Sequence, residues 1–484
     1  MIFNSITFLI FFASFFVLYW FVFNKNLKLQ NLLLLAGCYV FYGWVDWRFL
    51  PLLIGISALN FFLGVYIQRT TNPKIKKLLL SIGLIQGMGG LFFFKYYNFF
   101  ISSFNDAFHL VNVNLNLQSL HIIVPLGISF FTFRTISYVI DVYNEKYEPT
   151  SNWIDFFAYV AFFPSLLSGP IDKARSFIPQ LEKKRLFDHD QAVDGLRQIL
   201  WGLFKKVVVA DNCAAITNHI FNNYLELPAS SLLMASFFYA VQIYADFSGY
   251  SDMAIGFSRL IGFNITRNFD FPYFAQNIAQ FWRKWHISLT SWLTEYVFTP
   301  LSIAFRDYGK FGLFLAILIN FTLVGLWHGA SWTYVLFGVL HGCYFIPLIV
   351  NGTMNKTKKI AKGKLFPTGR EFLNVLGTFV LVMLTLIIFR SETIGQAMHY
   401  YSRFFSMSIF SLPLIPPSKL IASIAFSSIV FMFCIEWLGR EQQHALEQIS
   451  TKWSAPARWA FYYCIAITIF IFAGSNQQFI YFQF

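Results

Sequence analysis

One histidine separates two long apolar runs of this sequence, in the stretch LWHGASW at 326–332. A polar side chain in apolar surroundings is costly unless it has a partner or a chemical role. With an ordinary pKa of about 6.5, a neutral imidazole can accept a proton from a hydroxyl or a thiol. Flanking glycines at 325 and 329 would let another backbone or a substrate approach closely. His328 is therefore a candidate general base, and a well-packed structural histidine is the alternative.

A second histidine lies in an aromatic and basic segment, FWRKWHISL at 281–289. His286 could stabilise negative charge that develops during a reaction, and Arg283 could reach phosphates or lipid head groups. Trp285 and Trp327 adjoin the two histidines and are candidate substrate contacts. An interfacial helix anchored by tryptophans and basic residues is the alternative for the segment.

A third polar cluster occurs in QIYADFSGYSDM at 242–253. Gln242 and Asp246 are four residues apart, which would put both on one helix face. Asp246 could orient a basic partner or a histidine, so it is a further candidate substrate-binding residue, with a structural role equally open. Ser248 and Gly249 then predict a break in the helix.

Two other polar residues lie in apolar segments. Arg134 should face a carboxylate or a cavity. His341 follows His328 by a spacing that puts it about 220° away on a shared helix, so we expect it to be structural. The sequence contains no phosphate-binding glycine loop, nucleophile elbow, HExxH motif or zinc-type cysteine spacing. It predicts neither a metal site nor a bound cofactor.

The elements that must position these residues are membrane helices. Hydrophobic residues make up 57% of the 484 residues and charged residues only 12%, about half the charged share of a soluble protein. The net charge of +13 comes from basic residues in short breaks between apolar runs. The positive-inside rule therefore explains it better than nucleic-acid binding does.

Apolar runs predict about ten to thirteen membrane segments, some of them re-entrant or interfacial, within a single domain covering 1–484. The segments are 6–23, 29–44, 49–67, 78–100, 121–140, 153–167, 199–210, 231–244, 311–327, 332–350, 372–389, 420–438 and 460–472. The stretch 249–310 mixes charged, aromatic and glycine residues and predicts short amphipathic segments at the interface. Basic residues follow the first and third segments, which predicts an outside N-terminus and a cytoplasmic 355–370.

Five of the short blocks, in this order, resemble the membrane-bound O-acyltransferase family, in the branch of bacterial alginate O-acetylation membrane proteins. They are 125–133, 163–170, 242–253, 281–289 and 326–332, and the C-terminal 479–484 also fits. The resemblance implies an all-α polytopic bundle around a funnel or tunnel. It also implies that His328 is the essential histidine and His286 the second motif histidine.

The function that the resemblance implies is transfer of an acyl group, expected to be acetyl, to a cell-envelope polysaccharide of the alginate type. We expect acetyl-CoA as the cytoplasmic donor, a soluble or anchored periplasmic acetyltransferase as partner, membrane lipids around the protein, and the bacterial inner membrane as its location. D-alanyl transfer to teichoic acid and peptidoglycan O-acetylation are alternatives. A transporter of lipid or polysaccharide precursors is the alternative from another class.

Overall fold

The protein is described here by a computed structural model that covers residues 1–356, 359–415, 418–447, 449, 453–475 and 477–480. The described residues form helices and irregular connections, in two compact units. The first unit comprises Met1–Gly195 and Phe257–Thr266, and the second comprises Leu196–Gly256 and Arg267–Phe484. The predicted helical class is therefore confirmed. The predicted single domain stays a prediction.

The first unit contains nine helices that lie wholly within it, among the described residues. They are α1 (Ile6–Val17, continued as a π-helix over Leu18–Val22), α2 (Leu27–Asp46), α3 (Leu50–Arg69), α4 (Pro73–Leu91), α5 (Tyr97–His109), α6 (Ile128–Tyr143), α7 (Trp153–Ala161), α8 (Phe163–Leu166) and α9 (Ala174–Leu181). Its core is rich in phenylalanine, and the rings of Phe8, Phe41 and Phe163 meet at centroid distances of 5.6–6.4 Å.

Arg134, on α6, is buried in the first unit, and its direct hydrogen-bond partners are carbonyl and hydroxyl oxygens. Its guanidinium donates to the carbonyl oxygens of Tyr159, Val160 and Pro170 at 3.1–3.3 Å and to Ser165 Oγ. The expected carboxylate is Asp172, which interacts with Arg134 electrostatically, while carbonyl oxygens supply the direct hydrogen bonds. Five fixed donors let arginine satisfy several carbonyls at a helix break, and the break between α7 and α8 supplies them.

Two predicted segments of the first unit are interrupted. Residues 121–125 have no regular structure, and α6 begins only at Ile128. Pro125 disfavours helix in the residue before it, and the left-handed backbone of Gly127, with φ of +77°, sets the start of α6. The segment predicted at 153–167 is divided into α7 and α8 at Phe162.

The second unit holds the remaining helices, two of which also include a unit boundary. They are α10 (His189–Leu203, followed by a π-helix over Phe204–Ala210), α11 (Asp211–Asn222), α12 (Ala229–Leu260), α13 (Ile278–Lys284), α14 (Ile287–Leu293), α15 (Thr299–Ala304), α16 (Gly309–His328), α17 (Trp332–Cys343), α18 (Ile346–Val350), α19 (Gly369–Arg390), α20 (Ile394–Arg403), α21 (Lys419–Leu438) and α22 (Ala455–Phe472). The short helices α13 to α15 occupy the stretch predicted to be amphipathic.

The break predicted at Gly249 is wrong, because α12 continues through it to Leu260. The glycine serves helix packing instead. A Cβ atom at Gly249 would lie 2.7 Å from the carbonyl oxygen of Gly202 on α10. Tertiary contact between the two helices thus outweighs the low helix propensity of glycine.

Seven helical segments of the described chain are long and apolar enough to cross a membrane. They are Leu27–Arg69, Pro73–His109, Arg306–His328, Trp332–Val350, Gly369–Arg390, Lys419–Leu438 and Ala455–Phe472, and a shorter apolar segment is Ile6–Val22. They agree with the predicted spans at both ends of the chain. A polytopic membrane protein is therefore confirmed, whereas the exact number of crossings stays a prediction.

Candidate active site

The first candidate residue lies at a break between two apolar helices of the second unit. Helix α16 ends at His328, Gly329 is extended, and α17 begins at Trp332. Ser331 caps α17, since its Oγ accepts a hydrogen bond from the backbone N–H of Thr333 at 3.3 Å. The sequence GAS forms this break because glycine has a low helix propensity and serine is favoured at the N-cap of the next helix.

The two helices approach each other to backbone contact. A Cβ atom at Gly325 would overlap the Tyr334 carbonyl oxygen, and one at Gly338 would overlap the Phe321 carbonyl oxygen. Small residues at such crossings are a common means of packing helices in membranes. This seam of Gly325 and Gly338 makes the two helices antiparallel, with the end of α16 beside the first turns of α17.

His328 and His341 line the same small cavity there. The lining residues are Ile243, Phe281, Trp282, Trp285, His328, Phe337, His341, Val382, Leu386 and Phe389. The Phe337 ring lies 6.1 Å from the ring of His328 and 4.4 Å from that of His341, between centroids. The expected separation of the two histidines was therefore wrong, because it assumed a continuous helix and the chain turns back at 329–331.

His341 is held by a tryptophan from the short helix α13. The indole Nε1–H of Trp282 donates to His341 Nδ1 at 3.1 Å, and His341 is fully buried. Sequence reasoning missed this pair. The two residues are 59 positions apart in the sequence, and local spacing carries no signal for such a contact.

His286 lies next to this cavity and is not among the residues that line it. Its ring is completely buried, 4.7 Å from Phe247 and 5.2 Å from Trp327 between centroids. Trp327 in turn lies 4.9 Å from His328. Burial among these rings lowers the pKa of His286 to about 3, so this imidazole is neutral at physiological pH.

The two tryptophan candidates lie in this region, and their role as substrate contacts stays a prediction. Trp285 lines the cavity, and Trp327 packs between the two motif histidines. Arg283 lies elsewhere. Its guanidinium is exposed and donates to the Met354 carbonyl oxygen at 3.0 Å and to Asn355 Oδ1 at 3.1 Å. It lines a separate cleft that is rich in basic residues.

Asp246 belongs to a buried ion network rather than to the cavity wall. One carboxylate oxygen lies 2.9 Å from Lys206 Nζ, and the other accepts the backbone N–H of Ile480 at 2.8 Å. Lys206 also pairs with Asp211 at 2.8 Å. The network joins α12, the π-helix after α10 and the C-terminal residues, of which 481–484 lie outside the described part.

Metal-binding geometry is absent from the described residues, since no three His, Cys, Asp or Glu side chains among them cluster suitably. The chemistry that this arrangement can perform is proton transfer and hydrogen bonding in a water-poor cavity. An imidazole there can remove a proton from a hydroxyl, and the apolar walls would protect a reactive acyl group from hydrolysis.

Comparison with known proteins bears directly on this chemistry. Residues 148–354 match the membrane-bound O-acyltransferase family. The chain is 35% identical to the probable alginate O-acetylase of Pseudomonas aeruginosa, over 85% of this chain and 76% of that protein. It is 30% identical to the peptidoglycan O-acetyltransferase of Helicobacter pylori, over 98% and 94% of the two chains.

A third relative uses a different acyl group by its name. The chain is 30% identical to the teichoic acid D-alanyltransferase of Streptococcus thermophilus, over 54% of this chain and 68% of that protein. The matched family region contains both motif histidines and His341. These similarities set aside the transporter alternative. The chain belongs to the membrane-bound O-acyltransferase family, and it is a polytopic membrane enzyme that transfers acyl groups to hydroxyls.

Proposed function

We propose that this enzyme moves an acetyl group from cytoplasmic acetyl-CoA across the bacterial inner membrane for O-acetylation of a cell-envelope polysaccharide of the alginate type. The similarity to probable alginate O-acetylases over most of the chain supports the acceptor class. Peptidoglycan is the second candidate acceptor, because the peptidoglycan O-acetyltransferase matches nearly the whole chain.

The small size of the cavity beside His328 is the observation that supports acetyl as the acyl group. Its free volume is about 10 Å³, near the lower limit for one water molecule. A two-carbon acyl group requires only a modest displacement of the rings of Phe337 and Phe389, whereas a long acyl chain requires far more. The geometry therefore favours acetyl over a fatty acyl group.

The same lining bears on D-alanyl transfer. No carboxylate is present among the described residues that line the cavity. A D-alanyl group carries an ammonium, and burying an unpaired ammonium is costly. We therefore favour acetyl over D-alanyl at this cavity.

In the proposed reaction, His328 accepts the proton of the attacking hydroxyl while that oxygen bonds to the thioester carbonyl carbon. The resulting tetrahedral intermediate expels the thiolate as its carbon–sulfur bond breaks. The protonated imidazole then returns the proton to the sulfur. One ester and one thiol are formed, and no oxidant or metal is required.

The other candidate residues receive supporting roles in this proposal. His286 holds Trp327 against His328 and so acts as a positioning residue. Trp285 contacts the acyl group as part of the cavity wall. Arg283, in the basic cleft, meets the phosphates of the donor, and Asp246 fixes α12 through Lys206. A periplasmic acetyltransferase partner would complete delivery to the polymer.

Analysis of envelope polymers in the source bacterium tests the proposal. A strain lacking this gene should lose ester-linked acetate from its polysaccharide, and re-expression should restore the acetate. Polysaccharide, peptidoglycan and teichoic acid fractions should be hydrolysed separately in mild base, with acetate and D-alanine measured in each. Loss of D-alanine with acetate unchanged would refute the proposed acyl group, and acetate loss confined to peptidoglycan would replace the acceptor.

A further inference from the structure

We propose that His341 donates a hydrogen bond from Nε2–H to the carbonyl oxygen of the acyl group while His328 acts as base. The proposal rests on the proposed acyl transfer and adds a second catalytic residue to it. The geometry behind it is the shared cavity of the two histidines and the hydrogen bond that Trp282 gives to His341.

The Trp282 hydrogen bond determines where the proton of His341 lies. An indole N–H can only donate, so His341 Nδ1, 3.1 Å away, must be the acceptor. A neutral imidazole carries one proton, which then has to be on Nε2. Trp282 thus selects the tautomer of His341 in which Nε2 is a hydrogen-bond donor.

That donor has no protein partner in the described part of the chain. His341 is fully buried, and its Nε2 makes no hydrogen bond with any described residue. A buried donor left unpaired is destabilising, and native proteins seldom retain one without a use. Because the ring lines the cavity, the position that Nε2–H can serve is the one where a substrate oxygen would lie.

The chemistry requires such a donor. Attack by the hydroxyl turns the thioester carbonyl oxygen into an oxyanion, and an aligned neutral donor stabilises that charge most where water is excluded. Phe337 contacts both histidine rings, and the base and the donor line the same small cavity. No proton leaves His341 during the reaction, and the oxyanion collapses back to a carbonyl as the thiolate departs.

Two amide substitutions of His341 distinguish this role from a structural one. In His341→Gln, the side chain is long enough to place an amide N–H near the former Nε2 and into the cavity. In His341→Asn, the amide ends near the former Nδ1, where its oxygen can still accept from Trp282. The structural role therefore favours asparagine, whereas the catalytic role favours glutamine.

The measurement is transfer of label from radioactive acetyl-CoA to base-labile polymer ester, in membranes from cells that carry each variant. Rates are normalised to folded protein. We expect His341→Asn to lower the maximal rate by about 10² to 10³, with little change in KM for acetyl-CoA. His341→Gln should recover at least about a tenth of the wild-type rate, and Trp282→Phe should lose activity without loss of folded protein.

Each result bears on one claim. If wild-type membranes transfer no acetate, the proposed function fails. If wild type is active and His328→Ala inactive, but His341→Asn matches or exceeds His341→Gln, the donor role of His341 fails while the proposed function stands. Reduced folding of His341→Asn leaves the comparison valid, because the rates are taken per folded molecule.

Discussion

His286 combines two features that a folded chain rarely tolerates in one residue. Its backbone is left-handed, with φ of +45°, and its imidazole is fully buried. A non-glycine residue in this region costs on the order of 1–3 kcal/mol and persists only where the surroundings fix it. The contacts with Phe247 and Trp327 supply that constraint, which supports the assignment of His286 as a positioning residue.

The buried state of His286 predicts a dependence of stability on pH. Its pKa is about 3 in the folded protein and about 6.5 in an unfolded chain. Between these values the unfolded state binds a proton and the folded state does not, so stability falls as pH decreases below 6.5. The contribution is up to about 1.4 kcal/mol per pH unit.

His286→Asn is the matched variant, because asparagine tolerates left-handed backbone and does not titrate. Thermal unfolding of purified protein at pH 7 and pH 5 should show a smaller acid-induced decrease for the variant than for the wild type. An equal decrease in the two proteins would show that His286 becomes protonated without cost, contrary to its burial.

The seam between α16 and α17 positions the proposed base and the proposed hydrogen-bond donor. Adding one methyl group at Gly338 would push it into the Phe321 carbonyl oxygen, whereas Gly377 on α19 has no atom within 4 Å of a Cβ position. We expect Gly338→Ala to destabilise the protein by about 1–3 kcal/mol through overpacking and to lower the transfer rate per folded molecule.

Gly377→Ala is the control, and it should leave both the unfolding temperature and the rate near wild type. Thermal unfolding and the membrane transfer assay check both variants. Equal behaviour of the two alanine variants would mean that the seam is loose and does not position the histidines.

The buried ion network of Lys206, Asp211 and Asp246 leads to a further prediction. Lys206 pairs with both Asp211 and Asp246, so Lys206→Met leaves two buried carboxylates without their cation. Breaking a buried pair in this way typically costs about 3–5 kcal/mol. Asp246→Asn leaves the Lys206–Asp211 pair intact and should cost less.

The measurement is the amount of folded protein in the membrane, taken from the detergent-resistant fluorescence of a fused reporter. We expect less folded protein for Lys206→Met than for Asp246→Asn. KM for acetyl-CoA should be unchanged in Asp246→Asn. A raised KM with normal folding would restore Asp246 as a substrate contact, in place of its assignment to the network.

Local sequence predicted the elements of the site better than their assembly. His328, its glycine neighbours and the apolar runs around it are adjacent in sequence, so periodicity and polarity were sufficient. The left-handed backbone of His286, the helix through Gly249 and the Trp282–His341 hydrogen bond depend on contacts between distant residues. No pattern within one segment determines them.

The apolar helices near both ends of the chain were predicted closely. In the middle of the chain the short helices α13 to α15 lie where amphipathic segments were expected, but the length of α12 was not predicted. Its buried carboxylates Asp246 and Asp252 pair with Lys206 and Lys205, and such charges lower the hydropathy of a buried helix. The number of membrane crossings and the direction of insertion depend on the surrounding bilayer, and loop charge is the sequence feature that bears on them.

Loop charge predicts an outside N-terminus and a cytoplasmic 355–370 segment, which holds six basic residues. In a cysteine-free background, Ile360→Cys should therefore resist a membrane-impermeant maleimide in intact cells and react after permeabilisation. A cysteine placed at Asn4 should react in intact cells. Labelling of position 360 in intact cells would show that this segment lies outside the cytoplasm. It would then contradict both the predicted orientation and the cytoplasmic position of the donor side.

The proposed reaction requires His328 as its base. The test is polymer acetate in cells that carry His328→Ala in place of the wild-type enzyme, at equal abundance in the membrane. The variant keeps the glycine contacts between α16 and α17, so we expect folded protein with at most a few per cent of wild-type ester acetate. Substantially greater acetylation by folded His328→Ala protein would contradict it.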